Sequence, residues 1–352
     1  MTIAAERWTR TDWLALDTEF VRETTYFPRL CLVQASDGTD NFCIDAIALD
    51  ADSLRPMFDA FAGSAATKVF HSASQDLEIF VQHTGACPRP LFDTQLAAAL
   101  LGDGDQLGYA ALVEKRLGVQ LDKSLTRTDW ARRPLTAAEL AYAADDVRWL
   151  AELYPRLRDE LATRGRLAWL EEDCARLADA DRYSTRPEDA WRRLKGLARL
   201  PAPAQCAAVA LAAWRERVAQ TRDRPRKWIL DDNALYRIAE RIPQTEAQLA
   251  ELSVLPPKTL ARHAAELVAV LAESAATATD VRIGEALLDN AQKARVQALL
   301  GQLKQRAESA GVPPSLLATR ADVEALVRLN GSADVLLIRG WRREIAGDLV
   351  PD

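Results

Sequence analysis

The chain has 352 residues, of which 49% are hydrophobic and 27% are charged, and its net charge is −6. This composition is typical of a globular protein and excludes a disordered chain, while the length predicts two or three domains. No apolar run approaches the roughly 18 residues that would indicate a membrane span. The first residues lack the apolar core of a secretory signal, so we expect a cytoplasmic protein.

The first half of the chain alternates strand-like and helix-like segments. Residues 12–47 predict three short strands, because apolar and β-favouring residues dominate there. A helix near 52–62, a buried strand in "TKVFHSA" and a helix capped by Ser74 follow. Three strands followed by alternating strands and helices predict a mixed sheet with flanking helices, which is an α/β fold.

Three further elements complete this half. The segment "PLFDTQLAAALLG" predicts a short strand and then a helix that has Asp93 as its N-cap and ends at Gly102. A helix is expected over 108–117, and another follows it. Thr136 and Glu139 predict a capping box at the start of that last helix.

The second half is predicted to be helical throughout. The polar stretch 178–190 indicates a domain boundary, and beyond it apolar residues recur at helical spacing. The small, polar segment 273–281 predicts a second linker. The predicted domains are therefore an α/β domain over 1–180 and two all-α domains over 185–272 and 280–352.

Four carboxylates and one phenol in the first half predict a metal site. Asp17 and Glu19 lie two apart in a predicted strand and share a face, while Tyr142 and Asp146 lie four apart on a helix and share a face. With Asp76 from a third element, the carboxylates would repel one another unless cations lie among them. Oxygen ligands suit Mg²⁺ or Mn²⁺, and two such ions commonly serve in-line attack on a phosphodiester.

The order Asp-x-Glu, Asp, Tyr-x-x-x-Asp resembles the DEDDy class of 3′→5′ exonucleases. The flanking segments "LDTEFVRETTYFPRLCLVQ", "HSASQDLEIF", "LFDTQLAAALLG" and "KSLTRTDWARRPLTAAELAYAADDV" resemble the ribonuclease D family over roughly the first half of the chain. The resemblance implies a ribonuclease-H-like fold. It also implies that Asp17, Glu19 and Asp76 hold one ion, that Asp17 and Asp146 hold the other, and that Tyr142 orients the attacking water.

Two helical modules follow the nuclease motifs. "LAAWRERVAQTRDRPRKWILDDNALYRIAERIPQT" resembles the HRDC domain, a helical module shared by RecQ-type helicases and ribonuclease D, over about 188–272. The C-terminal segment loosely repeats the same layout and resembles a second, degenerate HRDC-like domain.

Other polar residues near the motifs are expected to be structural. Asp145 should face about 100° away from Asp146 on a helix and be exposed to solvent. Asp93 should cap its helix, with a direct role in the site as the less favoured alternative. His71, a lone histidine at a strand end, should be structural, because Tyr142 occupies the position that a catalytic histidine would take.

Two basic stretches are candidates for binding the substrate. The loop 123–135 either contacts the RNA backbone or is a solvated loop whose Trp130 docks into the core; its cations are Lys123, Arg127, Arg132 and Arg133. Residues 185–275 contain 15 Lys and Arg against 11 Asp and Glu, which makes this region more basic than the rest. Its candidate RNA contacts are Arg222, Arg224, Arg226 and Lys227, flanked by an expected core residue, Trp214, and by Trp228.

These patterns together predict a metal-dependent 3′→5′ exoribonuclease that removes nucleoside 5′-monophosphates from RNA 3′ ends. The resemblance implies precursor tRNA as the substrate, and we expect a monomer with no membrane partner. One alternative is a 3′→5′ DNA exonuclease, because the same five residues serve such enzymes, and another is a catalytically silent RNA-binding scaffold. A helicase is disfavoured because the sequence has no Gly-x-x-x-x-Gly-Lys-Ser/Thr loop.

Overall fold

The computed structural model describes residues 6–122, 125, 128–276 and 288–350. The chain divides into two compact units. The described parts of the first unit are 6–21, the residues of 30–183 and 288–350, and those of the second are 22–29 and 184–276. Within these ranges, no helix combines the length and the apolar character that crossing a membrane requires.

A five-stranded mixed sheet lies at the centre of the first unit. Its order is β3-β2-β1-β4-β5, and its strands are β1 (Trp13–Val21), β2 (Arg29–Ser36), β3 (Asn41–Asp45), β4 (Thr67–Phe70) and β5 (Leu91–Asp93). Strand β4 pairs in parallel with both β1 and β5, whereas β2 and β3 form an antiparallel hairpin. This sheet confirms the predicted α/β fold and its three N-terminal strands.

Helices flank the sheet and bury its apolar residues. They are α1 (Ala51–Gly63), α2 (Ser74–Thr84), α3 (Thr94–Leu100), α4 (Tyr109–Leu117), α5 (Ala137–Thr163) and α6 (Leu167–Leu177). Leu14 and Leu16 of β1, Phe70 of β4 and Phe80 of α2 are all fully buried in one core. Because β1 is a central strand covered on both faces, its position in space is closely determined.

Helix starts show which local predictions hold. The Thr136 hydroxyl accepts from Glu139 N at 3.2 Å and the Glu139 carboxylate accepts from Thr136 N at 2.7 Å, so the predicted capping box is confirmed. Asp93 caps α3 as predicted. The predicted Ser74 cap is wrong, because α2 begins at Ser74 itself and has Ala73 in the cap position. Asp93 instead accepts a hydrogen bond from Ala73 N at 2.9 Å.

The C-terminal segment packs as part of the first unit. It contains α12 (Asn290–Ala310), α13 (Pro314–Leu317), α14 (Arg320–Arg328) and α15 (Gly340–Ala346). Val296, Leu303 and Trp341 lie in the same apolar core as the sheet. Arg342 makes two hydrogen bonds, of 2.6 and 2.9 Å, to the buried Asp173 carboxylate of α6. The described part of the region predicted as a separate third domain therefore shares the core of the first unit.

The second unit is all-helical, as predicted for 185–272. It contains 3₁₀ helices at Pro187–Arg193 and Leu197–Arg199, and then α7 (Ala202–Arg222), α8 (Arg226–Ile229), α9 (Asp232–Arg241), α10 (Glu246–Glu251) and α11 (Pro257–Ala276). Helix α11 includes residues 273–276, so the start of the predicted linker 273–281 is helical, while 277–281 lie outside the described residues.

The segment 22–29 belongs to the second unit, which the domain prediction 1–180 did not anticipate. Tyr26 is buried in the core of this unit. The Asp223 carboxylate accepts hydrogen bonds from Tyr26 N at 2.9 Å and Phe27 N at 3.0 Å. These partners are almost 200 positions apart in the chain, so local sequence patterns carry no sign of the contact.

The order of helices supports the predicted repeat. In the second unit, the 21-residue α7 is followed by the four-residue α8 and the ten-residue α9. In the C-terminal segment, the 21-residue α12 is followed by the four-residue α13 and the nine-residue α14.

Candidate active site

The fold brings three of the predicted carboxylates together. Asp17 and Glu19 project from the central strand β1, and Asp146 projects from the body of α5. Each offers one oxygen, and these three oxygens all lie within 4.8 Å of one another. We call these three residues the carboxylate cluster. Its formation follows from the spacings in the sequence, because residues two apart share a strand face.

Asp76 is held beside the carboxylate cluster by a separate contact. It lies in the first turn of α2 and is only 6% exposed. The Thr18 hydroxyl donates a 2.6 Å hydrogen bond to Asp76 Oδ1. Burial, and then the charge of Asp76, raise the pKa of Asp17 well above its ordinary value, so the two carboxyl groups influence each other strongly.

Burial and mutual repulsion make the four carboxyl groups weak acids. Burial is the main cause that raises the pKa of Glu19 to about 8 and of Asp76 and Asp146 to about 7. Among the described residues, no lysine or arginine lies within 4 Å of these four carboxylates. A buried acidic group without a basic partner is stabilised by bound cations, and oxygen-only ligands fit Mg²⁺ or Mn²⁺. The residues present therefore suit a divalent metal site.

Tyr142 lies on α5 one turn before Asp146 and borders a cavity of about 440 Å³. Burial, followed by the charge of Asp146, raises the pKa of the Tyr142 phenol to about 12. The hydroxyl is therefore protonated at neutral pH and can act as a hydrogen-bond donor. Apolar side chains form much of the remaining wall of the cavity, namely Leu121, Leu125, Ala138 and Ala141.

Tyr109 is a site residue that the sequence analysis missed. Its hydroxyl on α4 lies 2.6 Å from the Asp146 carbonyl oxygen and 3.0 Å from the Asp145 carbonyl oxygen, within donating distance of both. This contact fixes the turn of α5 that carries Asp146. Neither the spacing nor the residue type of Tyr109 indicates such a role, because the contact joins two helices.

The residues expected to be structural behave as predicted. The Asp93 carboxylate accepts from four backbone N–H groups, those of Ser72, Ala73, Gln95 and Leu96, at 2.8–3.2 Å. His71 Nδ1 lies 3.0 Å from the Thr94 hydroxyl. The side chain of Asp145 is 45% exposed, and its carboxylate lies 3.8 Å from Arg148.

The basic loop before α5 is anchored to the protein by ion pairs. Lys123 and Arg127 lie outside the described residues. Arg132 bonds Glu139 at 2.6 and 2.8 Å, and Arg133 bonds Asp45 at 2.7 Å. Trp130 is buried, as the docked-loop interpretation expected. These contacts give Arg132 and Arg133 a structural role, and contact with RNA stays a prediction for both.

The predicted basic residues of the second unit differ in their surroundings. Arg222 lies 3.3 Å from His263, and Arg224 donates to the Thr24 carbonyl oxygen at 3.1 Å. Arg226 is paired with Glu216 at 2.5 and 2.6 Å, whereas Lys227 is exposed. Of the two tryptophans, Trp214 is buried as expected and Trp228 is 59% exposed.

Comparisons with known proteins agree with this arrangement. A family model described as a 3′-5′ exonuclease matches residues 1–162, and the HRDC domain model matches 207–271. A ribonuclease D of Jannaschia sp. (strain CCS1) is 42% identical over 346 residues, covering 95% of this chain and 88% of the relative. The chain belongs to the ribonuclease D family. A ribonuclease D of Nitrobacter hamburgensis is 39% identical over 95% of this chain and 88% of the relative.

A solved structure supports the same assignment. The crystal structure of Escherichia coli RNase D superposes with a TM-score of 0.88 at 30% identity and covers 99% of this chain and 94% of that chain. Membership of the ribonuclease D family makes this protein a 3′→5′ exoribonuclease, as the sequence predicted. The predicted combination of a mixed-sheet nuclease domain and helical modules is confirmed with it.

Proposed function

We propose that the protein removes nucleoside 5′-monophosphates one at a time from RNA 3′ ends with two divalent metal ions, Mg²⁺ or Mn²⁺. The observation that supports this most strongly is the carboxylate cluster, whose three oxygens lie within 4.8 Å of one another. In the proposed assignment, Asp17, Glu19 and Asp76 hold one ion, and Asp17 and Asp146 hold the other. When bound, such ions supply the positive charge that activates a water and stabilises a leaving oxygen.

Tyr142 would position the attacking water through its hydroxyl. With a pKa of about 12, the phenol keeps its proton at neutral pH and cannot be the general base. It can instead donate a hydrogen bond that fixes the direction of attack. Tyr109 would act indirectly, because its hydroxyl bonds the backbone that carries Asp146.

The cavity beside Tyr142 would receive a nucleotide near the 3′ end of the substrate. Its volume of about 440 Å³ lies within the range of small-molecule sites. Apolar walls formed by Leu121, Ala138 and Ala141 suit the face of a nucleobase, and they border Asp146 directly. This arrangement would present the scissile phosphate to the carboxylates.

The proposed substrate is a structured RNA with a 3′ extension, such as precursor tRNA. The E. coli relative is described as an exoribonuclease involved in structured RNA processing, which supports this choice. We further propose that the enzyme acts as a monomer in the cytoplasm. The described residues include no contact that would distinguish a ribose 2′-hydroxyl, so the DNA alternative has to be separated by experiment.

The test compares one RNA with a DNA of the same sequence, each labelled at its 5′ end. Both are incubated with Mg²⁺, Mn²⁺ or EDTA, and the products are resolved by length. The proposal expects a ladder that shortens from the 3′ end of RNA and disappears in EDTA. Faster loss of DNA would assign the protein to DNA, and binding of RNA without cleavage would favour the scaffold alternative.

A further inference from the structure

The second unit contains a polar pocket of about 390 Å³ that is separate from the carboxylate cluster. Residues of the segment 22–29 form one part of the wall. Arg193 and residues of α7, α8 and α9 form the rest. All of these residues belong to the same compact unit, so the pocket is built within it.

Paired charges fix the inner wall of this pocket. Arg226 bonds both oxygens of the buried Glu216 carboxylate, at 2.5 and 2.6 Å, and its Nη2 lies 2.9 Å from the Tyr26 hydroxyl. Arg215 is 5% exposed and bonds Asp232 at 2.7 Å. The Nε of Arg215 is buried and has no hydrogen-bond partner within the described residues. These pairs hold the backbone of α8 in place and cancel most of their own charge.

Three exposed cations line the outer part of the pocket. They are Arg22, Arg193 and Lys227, and the only acid beside them that lacks an arginine partner among the pairs above is Glu23. Arg193 is oriented by a 2.8 Å hydrogen bond to the Thr185 hydroxyl, and Arg22 by a 2.9 Å bond to the Tyr26 carbonyl oxygen. Positive charge therefore exceeds negative charge in a concave site, which favours an anionic ligand.

An exposed indole borders the same cations. Trp228 follows Lys227 in α8, lines the pocket and is 59% exposed. A large aromatic ring left in water next to cations is a common arrangement for stacking a nucleobase while its phosphate is neutralised. An anionic ligand without a ring would use the cations but not the indole.

We propose that this pocket binds a single-stranded segment of RNA, with a phosphate between Arg193 and Lys227 and a base stacked on Trp228. This inference rests on the proposed function, because it assumes that RNA is the substrate. It narrows the predicted basic surface, since Arg222 and Arg224 lie outside the pocket while Arg22, Arg193 and Trp228 were not predicted. The pocket would hold part of the RNA that is distant from the cleaved end.

The test measures binding of a short 5′-fluorescein-labelled oligouridylate to the full-length protein by fluorescence anisotropy in EDTA. The variants are Arg193→Ala with Lys227→Ala, Lys227→Glu alone, and Trp228→Ala with Trp228→Phe as its conservative partner. The matched control is Lys258→Ala with Arg262→Ala, which removes two exposed charges from α11 of the same unit. Circular dichroism melts verify that each variant is folded.

The proposal expects the pocket double variant to weaken binding by about tenfold and to reduce the salt dependence by about 0.7 in log–log slope per lost phosphate contact. Lys227→Glu should weaken binding further, Trp228→Ala should weaken it by about tenfold, and Trp228→Phe should retain most of it. The control should change binding by less than about twofold. Equal losses in the pocket and control variants, or no loss in either, would overturn the proposal.

The outcome is distinguishable from failure of the proposed function. Binding is measured without divalent metal, so it does not depend on catalysis. Pocket-dependent binding without hydrolysis in Mg²⁺ or Mn²⁺ would leave this inference standing and remove the proposed function. Hydrolysis together with pocket-independent binding would do the reverse.

Discussion

The Thr18 hydroxyl donates a 2.6 Å hydrogen bond to Asp76 Oδ1, and both residues are 6% exposed. Thr18 lies between Asp17 and Glu19 in β1, whereas Asp76 lies in the first turn of α2. One side-chain contact thus connects the strand that carries two of the carboxylates to the helix that carries a third. The relative position of these groups depends on it directly.

Replacing Thr18 should therefore affect both stability and metal binding. Thr18→Val keeps the shape but removes the donor, so we expect the free energy of unfolding to fall by about 1–3 kcal/mol. Metal affinity should fall as well, because Asp76 loses its orientation. Urea unfolding and Mn²⁺ titration measure the two effects. Thr18→Ser retains the hydroxyl and should resemble the wild type; equal losses in both variants would show that the bond is unimportant.

The raised pKa values predict an unusual dependence of stability on pH in the absence of metal. The pKa of Glu19 is about 8 and those of Asp76 and Asp146 are about 7, so the folded protein binds more protons than the unfolded chain between about pH 4 and 8. Metal-free stability should therefore fall as pH rises through this window. Urea unfolding in EDTA between pH 5 and 9 measures it.

Mg²⁺ or Mn²⁺ should weaken or reverse this trend, because metal binding requires deprotonated carboxylates and releases protons. Calorimetry in buffers of different ionisation enthalpy detects that proton release. Asp146→Asn removes one of the repelling charges and should stabilise the metal-free protein at pH 8 by about 1–3 kcal/mol. A metal-free stability that rises through this window would contradict the raised pKa values.

Tyr109→Phe should reduce catalysis without preventing folding. The lost hydrogen bond costs about 0.5–1.5 kcal/mol of stability. Because it fixes the turn that carries Asp146, we expect kcat to fall severalfold and the metal requirement to rise, with KM for RNA little changed. Tyr183→Phe is the matched control, because the Tyr183 hydroxyl also donates to a backbone oxygen, that of Leu177 at 2.7 Å, away from α5. Equal kinetic changes in both variants would remove the positioning role of Tyr109.

Arg342→Ala should destabilise the nuclease unit. Arg342 and Asp173 are 3% and 2% exposed, and removing one partner leaves a buried carboxylate with only a weaker neighbour, Arg176 at 3.5 Å. We expect a loss of about 3–5 kcal/mol, measured by urea unfolding. Arg343→Ala, its exposed neighbour on α15, should cost less than about 1 kcal/mol. A mild effect of Arg342→Ala would mean that the C-terminal segment contributes little to this unit.

The same packing changes how truncation should be interpreted. A chain that ends at residue 185 lacks Val296, Leu303 and Trp341, which lie in the core of the first unit. Such a truncation should unfold the nuclease unit as well as remove the helical modules. Variants with single replacements in the second unit are therefore the better test of RNA gripping.

The sequence predicted the features that depend on local spacing. Asp17 and Glu19 share a strand face, and the Thr136 capping box starts the helix that carries Asp146, so both follow from backbone geometry. The sequence did not predict the Asp93–Ala73 bond, because the preference of serine for helix caps gave no reason to look 20 positions away.

The remaining features depend on contacts between distant parts of the chain. Tyr26 packs in the second unit, and Arg342 pairs with Asp173 over a separation of 169 positions. Neither contact leaves a periodic pattern or a motif in the sequence. Charge counts also failed to separate the roles of the arginines, because Arg226 and Arg133 are as basic as Lys227 but are held in ion pairs.

The most direct test of the account compares Asp146→Asn with Asp145→Asn on a 5′-labelled RNA in Mg²⁺ or Mn²⁺. The two acids are adjacent on α5, yet only Asp146 belongs to the carboxylate cluster. The account predicts that Asp146→Asn abolishes shortening of the RNA from its 3′ end and that Asp145→Asn cleaves within about threefold of the wild type. Equal activity in the two variants would contradict the assignment of the carboxylate cluster as the catalytic centre.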